Sequence, residues 1–103
     1  MDLKYKVIIA DDAQKDIDEL FTYIYNVLGT ARSAERIVTQ IVKSINSLCI
    51  FPYQGISTDF YAKDGTSYRK LIVENYVAFY LVYDETKEIK IIRVFDGRTN
   101  YHI

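Results

Sequence analysis

The chain has 103 residues, a formal net charge of −1 and 50% hydrophobic residues. This length is that of one domain, so we expect residues 1–103 to form a single domain with a small core. A charge near zero excludes strong overall attraction to nucleic acid or anionic lipid. No apolar run reaches the roughly 18 residues of a membrane span, and the N-terminus lacks the apolar region of a signal peptide. A lone cysteine, Cys49, excludes an intrachain disulfide and favours a cytoplasmic location.

The first half of the sequence predicts one strand and two helices. Residues 4–10 alternate and then turn apolar, which is typical of a short strand. Apolar residues at intervals of three and four then predict one helix that ends at Gly29 and a second from about Ala31 to Leu48. Pro52 excludes continuation of the second helix. Because the link between the helices is short, we expect an antiparallel helical hairpin.

The second half predicts a sheet. Residues 53–67 are rich in turn formers and are expected to be irregular. Strands are predicted at 68–73, 76–83 and 88–96, and the links between them are so short that only antiparallel hairpins are possible. The middle strand is apolar on both faces, so it should be central. The sequence therefore predicts an α+β domain: an N-terminal strand, a two-helix hairpin and a three-stranded antiparallel meander covered by the helices.

Four segments follow one another in a characteristic order. They are AQKDIDELFTYI in the first helix, LCIFPYQG after the second, YRKLIVENYVAFYLVY across two strands and IIRVFDGRTN at the end. Over nearly the whole chain this set resembles the RelE/ParE superfamily of bacterial type II toxins. The resemblance implies a compact sheet with two packed helices, and a cognate antitoxin protein as partner. With no Cys/His cluster and no glycine-rich phosphate loop, we expect neither a metal nor a cofactor.

The resemblance leaves two targets, since RelE-like toxins cleave mRNA in the ribosome and ParE-like toxins inhibit DNA gyrase. RelE-like members carry an arginine where this chain has Val77. ParE-like and unassigned members share an Arg-Val-hydrophobic-His-Gly-Arg pattern, in which Asp96 replaces the histidine. We therefore favour a ParE-like toxin that acts by binding. A ribosome-dependent endoribonuclease is the alternative, and a degenerate member that only binds an antitoxin is a third.

The arginines in the last third of the chain and two nearby tyrosines are the candidate residues for binding antitoxin or target. They are Arg69, Arg93, Arg98, Tyr68 and Tyr101. We expect Arg69 and Arg98 to point outward toward a macromolecular ligand, although either could be an ordinary surface arginine. Arg93 lies within an apolar run, where a charge needs a partner, so an internal ion pair with an acid is favoured for it.

The endoribonuclease alternative predicts a different set of residues. Cleavage of RNA without a metal needs a base, an acid and cations that stabilise the phosphorane. Arg69, Lys70 and Arg98 would supply the charge, and His102, which titrates near neutrality, would transfer the proton. Without an arginine at Val77 this set is incomplete.

Overall fold

A computed structural model describes residues 4–98, which form one five-stranded sheet and two helices. The elements are β1 (Lys6–Ile9), α1 (Asp11–Leu28), α2 (Ala31–Ser47), β2 (Ile56–Tyr61), β3 (Ser67–Val73), β4 (Tyr76–Tyr83) and β5 (Glu88–Asp96). The strand order is β1-β5-β4-β3-β2. β1 pairs with β5 in parallel, and the other neighbours are antiparallel. The α+β fold class is confirmed.

Both helices have the bounds that the apolar pattern predicts. Gly29 ends α1 in the left-handed conformation, with φ of 75°, which glycine adopts without steric cost. Thr30 caps the N-terminus of α2, and its Oγ1 accepts a hydrogen bond from the Ser33 amide at 3.2 Å. Asp11 and Asp12 lie in the first turn of α1, where the helix dipole favours acids, and no side chain caps that helix. Neither described helix is long and apolar enough to cross a membrane.

The stretch 53–67 contains a strand, so the prediction that it is irregular throughout is wrong. Ile56–Tyr61 forms β2, which pairs antiparallel with β3 and lies at an edge of the sheet. The pairing shifts register within β2, where the Thr58 hydroxyl donates to the Tyr68 carbonyl at 2.7 Å. Four consecutive antiparallel strands therefore follow the helices, one more than predicted. Since β2 is mostly exposed, no buried apolar alternation marks it in the sequence.

The two faces of the sheet differ in what covers them. The helices pack on one face, and the core there includes Ala78 and Tyr80 of β4. Alternation along the strands places Val77, Phe79 and Leu81 of β4 on the other face, which no described helix covers. We call this second surface the open face; it also includes Tyr68, Lys70 and Ile72 of β3 and Phe95 of β5. β4 is central, as predicted.

Candidate functional site

Arg69 in β3 uses its charge to hold the protein's own backbone. Its Nη2 donates to the carbonyl oxygens of Gly55 at 2.5 Å and Tyr53 at 3.2 Å. The guanidinium carbon lies 5.1 Å from the centre of the Tyr53 ring. The buried Nε has no hydrogen-bond partner among residues 4–98. The prediction that Arg69 points outward is therefore wrong, because its guanidinium binds the backbone of residues 51–55. We call these residues the 51–55 loop.

Tyr80 holds the same loop from the core. Its hydroxyl donates to the Pro52 carbonyl at 2.9 Å and accepts from the Gly55 amide at 3.0 Å, and the side chain is fully buried. Gly55 allows this approach, since a Cβ there would lie 2.6 Å from the Lys70 carbonyl oxygen. The loop nevertheless exposes Phe51 to 64%. A large apolar side chain is thus presented on a rigidly held backbone.

Asp84, in the turn between β4 and β5, joins three distant segments. Its carboxylate accepts a hydrogen bond from the Tyr5 hydroxyl at 2.6 Å and another from the Tyr53 hydroxyl. The bond to Asp84 raises the pKa of Tyr53 to about 12. The hydrogen bond from Tyr5, and after it the one from Tyr53, lowers the pKa of the Asp84 carboxyl. No spacing in the sequence indicates this cluster, because its members belong to separate elements.

Arg93 forms an internal ion pair, as the sequence predicts. Its Nε and Nη2 donate to the two carboxylate oxygens of Asp16 at 2.7 and 3.0 Å, and the Val94 amide donates to the same carboxylate at 2.9 Å. The hydrogen bonds from its guanidinium to Asp16 raise the pKa of Arg93. The guanidinium carbon also lies 4.7 Å from the centre of the Phe95 ring. Arg93 therefore links α1 to β5, and Asp16 neutralises its charge.

Arg98 follows β5 and has a side chain that is 64% exposed. It is not a free cation, because Nε and Nη2 donate to the carboxylate of Asp96 at 3.0 and 2.7 Å. The Arg98 side chain, with its backbone amide, lowers the pKa of Asp96. Asp96 occupies the position of the histidine that the resemblance led us to expect. Here it orients Arg98, and the pair carries little net charge.

Lys70 is the candidate cation that lacks such a partner. Within the part of the chain that the structure describes, its side chain makes no hydrogen bond, ion pair or ring contact. It is half-buried on the open face and lies between two cavities of about 300 Å³ each. We call this surface the Lys70 groove; its lining residues used below are Ile56, Asp59, Phe60, Lys70, Ile72, Glu74, Val77, Phe79 and Arg98.

The structure brings only part of the nuclease set together. Lys70 and Arg98 line the same cavity. Arg69 points to the other face, because neighbouring residues of a strand alternate, and this alternation was visible in the sequence. Tyr101 and His102 lie outside the described residues. Residues 4–98 also contain no group of three His, Cys, Asp or Glu side chains that could hold a metal ion.

Comparisons with known proteins agree with this architecture. The family described as the ParE toxin of the type II toxin–antitoxin system parDE matches residues 7–101. The chain belongs to the ParE toxin family. The comparison with curated protein sequences gave no match.

Three solved structures share the fold of this ParE-family chain. The chromosomal ParDE system from P. aeruginosa has a TM-score of 0.72 and 24% identity, over 91% of this chain and 97% of the other. The RelBE2 toxin–antitoxin complex from Mycobacterium tuberculosis has a TM-score of 0.64 and 18% identity, over 90% and 98%. The archaeal RelE–RelB complex from Pyrococcus horikoshii OT3 has a TM-score of 0.61 and 15% identity, over 94% of this chain and 99% of the other. Both branches of the superfamily therefore use this fold.

Within the ParE family, the environment of Val77 is informative. Val77 is buried on the open face, opposite Ile72 of β3 and Phe95 of β5. An arginine placed there would add a charge within the Lys70 groove, which Val77 lines. This chain instead has an apolar floor at that point, where Val77 is buried among its neighbours.

Proposed function

We propose that this ParE-family chain is a cytoplasmic toxin that inhibits growth by binding DNA gyrase and is neutralised by a cognate antitoxin. The observation that carries the proposal is that the three candidate arginines bind partners within the chain. Arg69 binds backbone carbonyls, Arg93 binds Asp16 and Arg98 binds Asp96. Each of these charges therefore has a partner within the chain, which supports a toxin that acts through its shape and apolar surface rather than through RNA cleavage.

The antitoxin part of the proposal is supported by the structural relatives, which are described as toxin–antitoxin systems or complexes. Exposed apolar side chains on this chain provide surfaces that an antitoxin could cover. They include Phe51 at 64%, Phe60 at 54% and Ile72 at 54%. Induction of the chain alone should arrest growth, and co-expression of the product of the adjacent gene should relieve the arrest. Growth without arrest would instead indicate a degenerate member.

The gyrase part is tested with purified components. The protein should block supercoiling of a relaxed plasmid by gyrase and trap gyrase–DNA cleavage complexes. The matched control is relaxation of the supercoiled form of the same plasmid by topoisomerase I, which should proceed unchanged because the proposed contact is with gyrase and not with DNA. Normal supercoiling at a large excess of the protein would refute gyrase as the target.

One observation supports the alternative function, a ribosome-dependent endoribonuclease: Lys70 and Arg98 line the same cavity. Primer extension on a translated message decides between the two functions. Cleavage within codons at the ribosomal A site, lost in the Arg98→Ala variant, would favour the nuclease. The ParE-like function predicts an uncut message in the same experiment.

A further inference from the structure

Lys70 has an unusual electrostatic position for a half-buried lysine. Three arginines of the described chain pair with acids: Arg36 with Glu74, Arg93 with Asp16 and Arg98 with Asp96. Lys70 has no such acid within residues 4–98, although it stands between the apolar side chains of Ile56 and Phe79 in the sheet. A partly desolvated ammonium is stabilised by an anion, and residues 4–98 supply none at Lys70.

The surroundings of Lys70 are apolar and exposed. Ile56, Phe60 and Ile72 are exposed to 56%, 54% and 54%, and they lie around the two cavities that Lys70 separates. Phe79 and Val77, both buried, form part of the floor. A cluster of large apolar side chains around one cation is complementary to a segment that carries apolar side chains on both sides of one acid.

The acids of the groove favour a carboxylate over a nucleic-acid backbone. Asp59 lines the cavity on one side of Lys70, and Glu74 lines the cavity on the other. A polyanion that followed the groove would approach both acids, whereas a single carboxylate needs only the ammonium. The net charge of −1 adds no general attraction for a polyanion.

We propose that the Lys70 groove binds a segment of the antitoxin in which one carboxylate, flanked by apolar side chains, pairs with Lys70. This inference rests on the proposed function, since it presumes that an antitoxin binds. It adds the place, the chemistry of the segment and the residue that selects it. The apolar side chains of the segment enter the two cavities, and their burial removes water from the ion pair, which strengthens it.

The test measures the affinity of the adjacent gene's product for the protein by isothermal titration calorimetry. Lys70→Met keeps the aliphatic stem and removes the charge, and it should weaken binding on the order of tenfold. The matched control is Lys90→Met. Lys90 is exposed at the far end of β5, 5.4 Å from the Tyr83 ring centre, and lines neither cavity. Its replacement should change the affinity by less than about twofold.

Charge reversal identifies the partner acid. Lys70→Glu should weaken binding more than Lys70→Met does, and a lysine substituted for one particular acid of the antitoxin should restore it. A measurement on the unaltered protein supports the variants. Reductive methylation read by mass spectrometry should find Lys70 protected in the complex and Lys90 still reactive.

The outcomes separate this inference from the proposed function. If the unaltered protein does not bind the antitoxin, both fail. If it binds, but Lys70→Met binds equally well and Lys70 remains reactive in the complex, only the present inference fails. A single-stranded RNA of about 20 nucleotides serves as the competing probe. RNA binding lost in Lys70→Met, with antitoxin affinity unchanged, would overturn the inference in favour of a nucleic-acid site.

Discussion

Replacing Tyr80 by phenylalanine removes one buried oxygen and leaves two groups of the 51–55 loop without their partner. The Gly55 amide, 3.0 Å from that oxygen, would be a buried donor with nothing to bind. The Pro52 carbonyl, 2.9 Å away, lies nearer the surface and can regain a water. An unsatisfied buried group costs about 1–3 kcal/mol, and a replaced hydrogen bond costs less. We expect the free energy of unfolding to fall by about 2 kcal/mol.

Urea unfolding followed by far-ultraviolet circular dichroism measures this loss. A decrease of that size should lower the melting temperature by about 10 °C in a domain of this length. The urea dependence of the unfolding free energy should not change, because the variant buries the same surface. The comparison requires that the unaltered protein and the variant both unfold in a two-state transition, as single domains of this length usually do.

Tyr83→Phe is the matched control for Tyr80→Phe. The Tyr83 hydroxyl donates to Asp64 at 3.0 Å, and this hydrogen bond is exposed. Water can replace it, so the same chemical change should cost less than about 0.5 kcal/mol. Equal losses in the two variants would refute the reasoning, since burial of the Gly55 amide would then not determine the cost.

Asp16→Ala removes both carboxylate oxygens that bind Arg93, so the free energy of unfolding should fall by about 2 kcal/mol. The control is Asp18→Ala, on the exposed side of α1, which should change the free energy of unfolding little. Equal losses in the two variants would contradict the role given to Asp16. The ring ¹³C resonance of Tyr53, which is resolved from those of the other nine tyrosines, should titrate with a pKa of about 12 and return toward 10.0 in Asp84→Asn; an unchanged titration would exclude the hydrogen bond as the cause. Because the folded-state pKa of Tyr53 is raised, its contribution to stability should be lost between about pH 10 and pH 12. The lowered pKa of Asp84 has the opposite sign, so its contribution should be lost below about pH 4, and Asp84→Asn should remove that acid dependence.

The elements that the sequence predicted correctly are those specified by local chemistry. Gly29 ends α1 and Pro52 prevents extension of α2, and the apolar stripe of each helix is periodic over its own length. β2 has no such local signal. Its residues, ISTDFY, mix polar and aromatic side chains, and most of them remain exposed. This strand exists because β3 offers it a free edge, which is a tertiary cause.

The candidate site shows the same division between local and tertiary information. A charge within an apolar run must find a partner, so the ion pair of Arg93 was predictable in kind. Its partner, Asp16, is 77 residues away, and nothing in the sequence distinguishes that acid from its neighbours in α1. The contacts of Arg69 were harder to predict, because its partners are backbone carbonyls in the 51–55 loop. Every residue has a backbone carbonyl, so the sequence does not indicate which ones Arg69 binds.

The balance of charge on this surface bears directly on the choice of target. The sequence suggested a sheet that displays several cations, which would suit an RNA backbone. The structure gives Arg69, Arg93 and Arg98 partners within the chain, although Arg98 remains exposed, and it leaves Lys70 on an apolar face. Binding that depends on apolar area should depend weakly on salt, whereas binding to several phosphates weakens steeply as salt rises. The salt dependence of target binding is therefore an independent measure, and a steep dependence would argue for nucleic acid over gyrase.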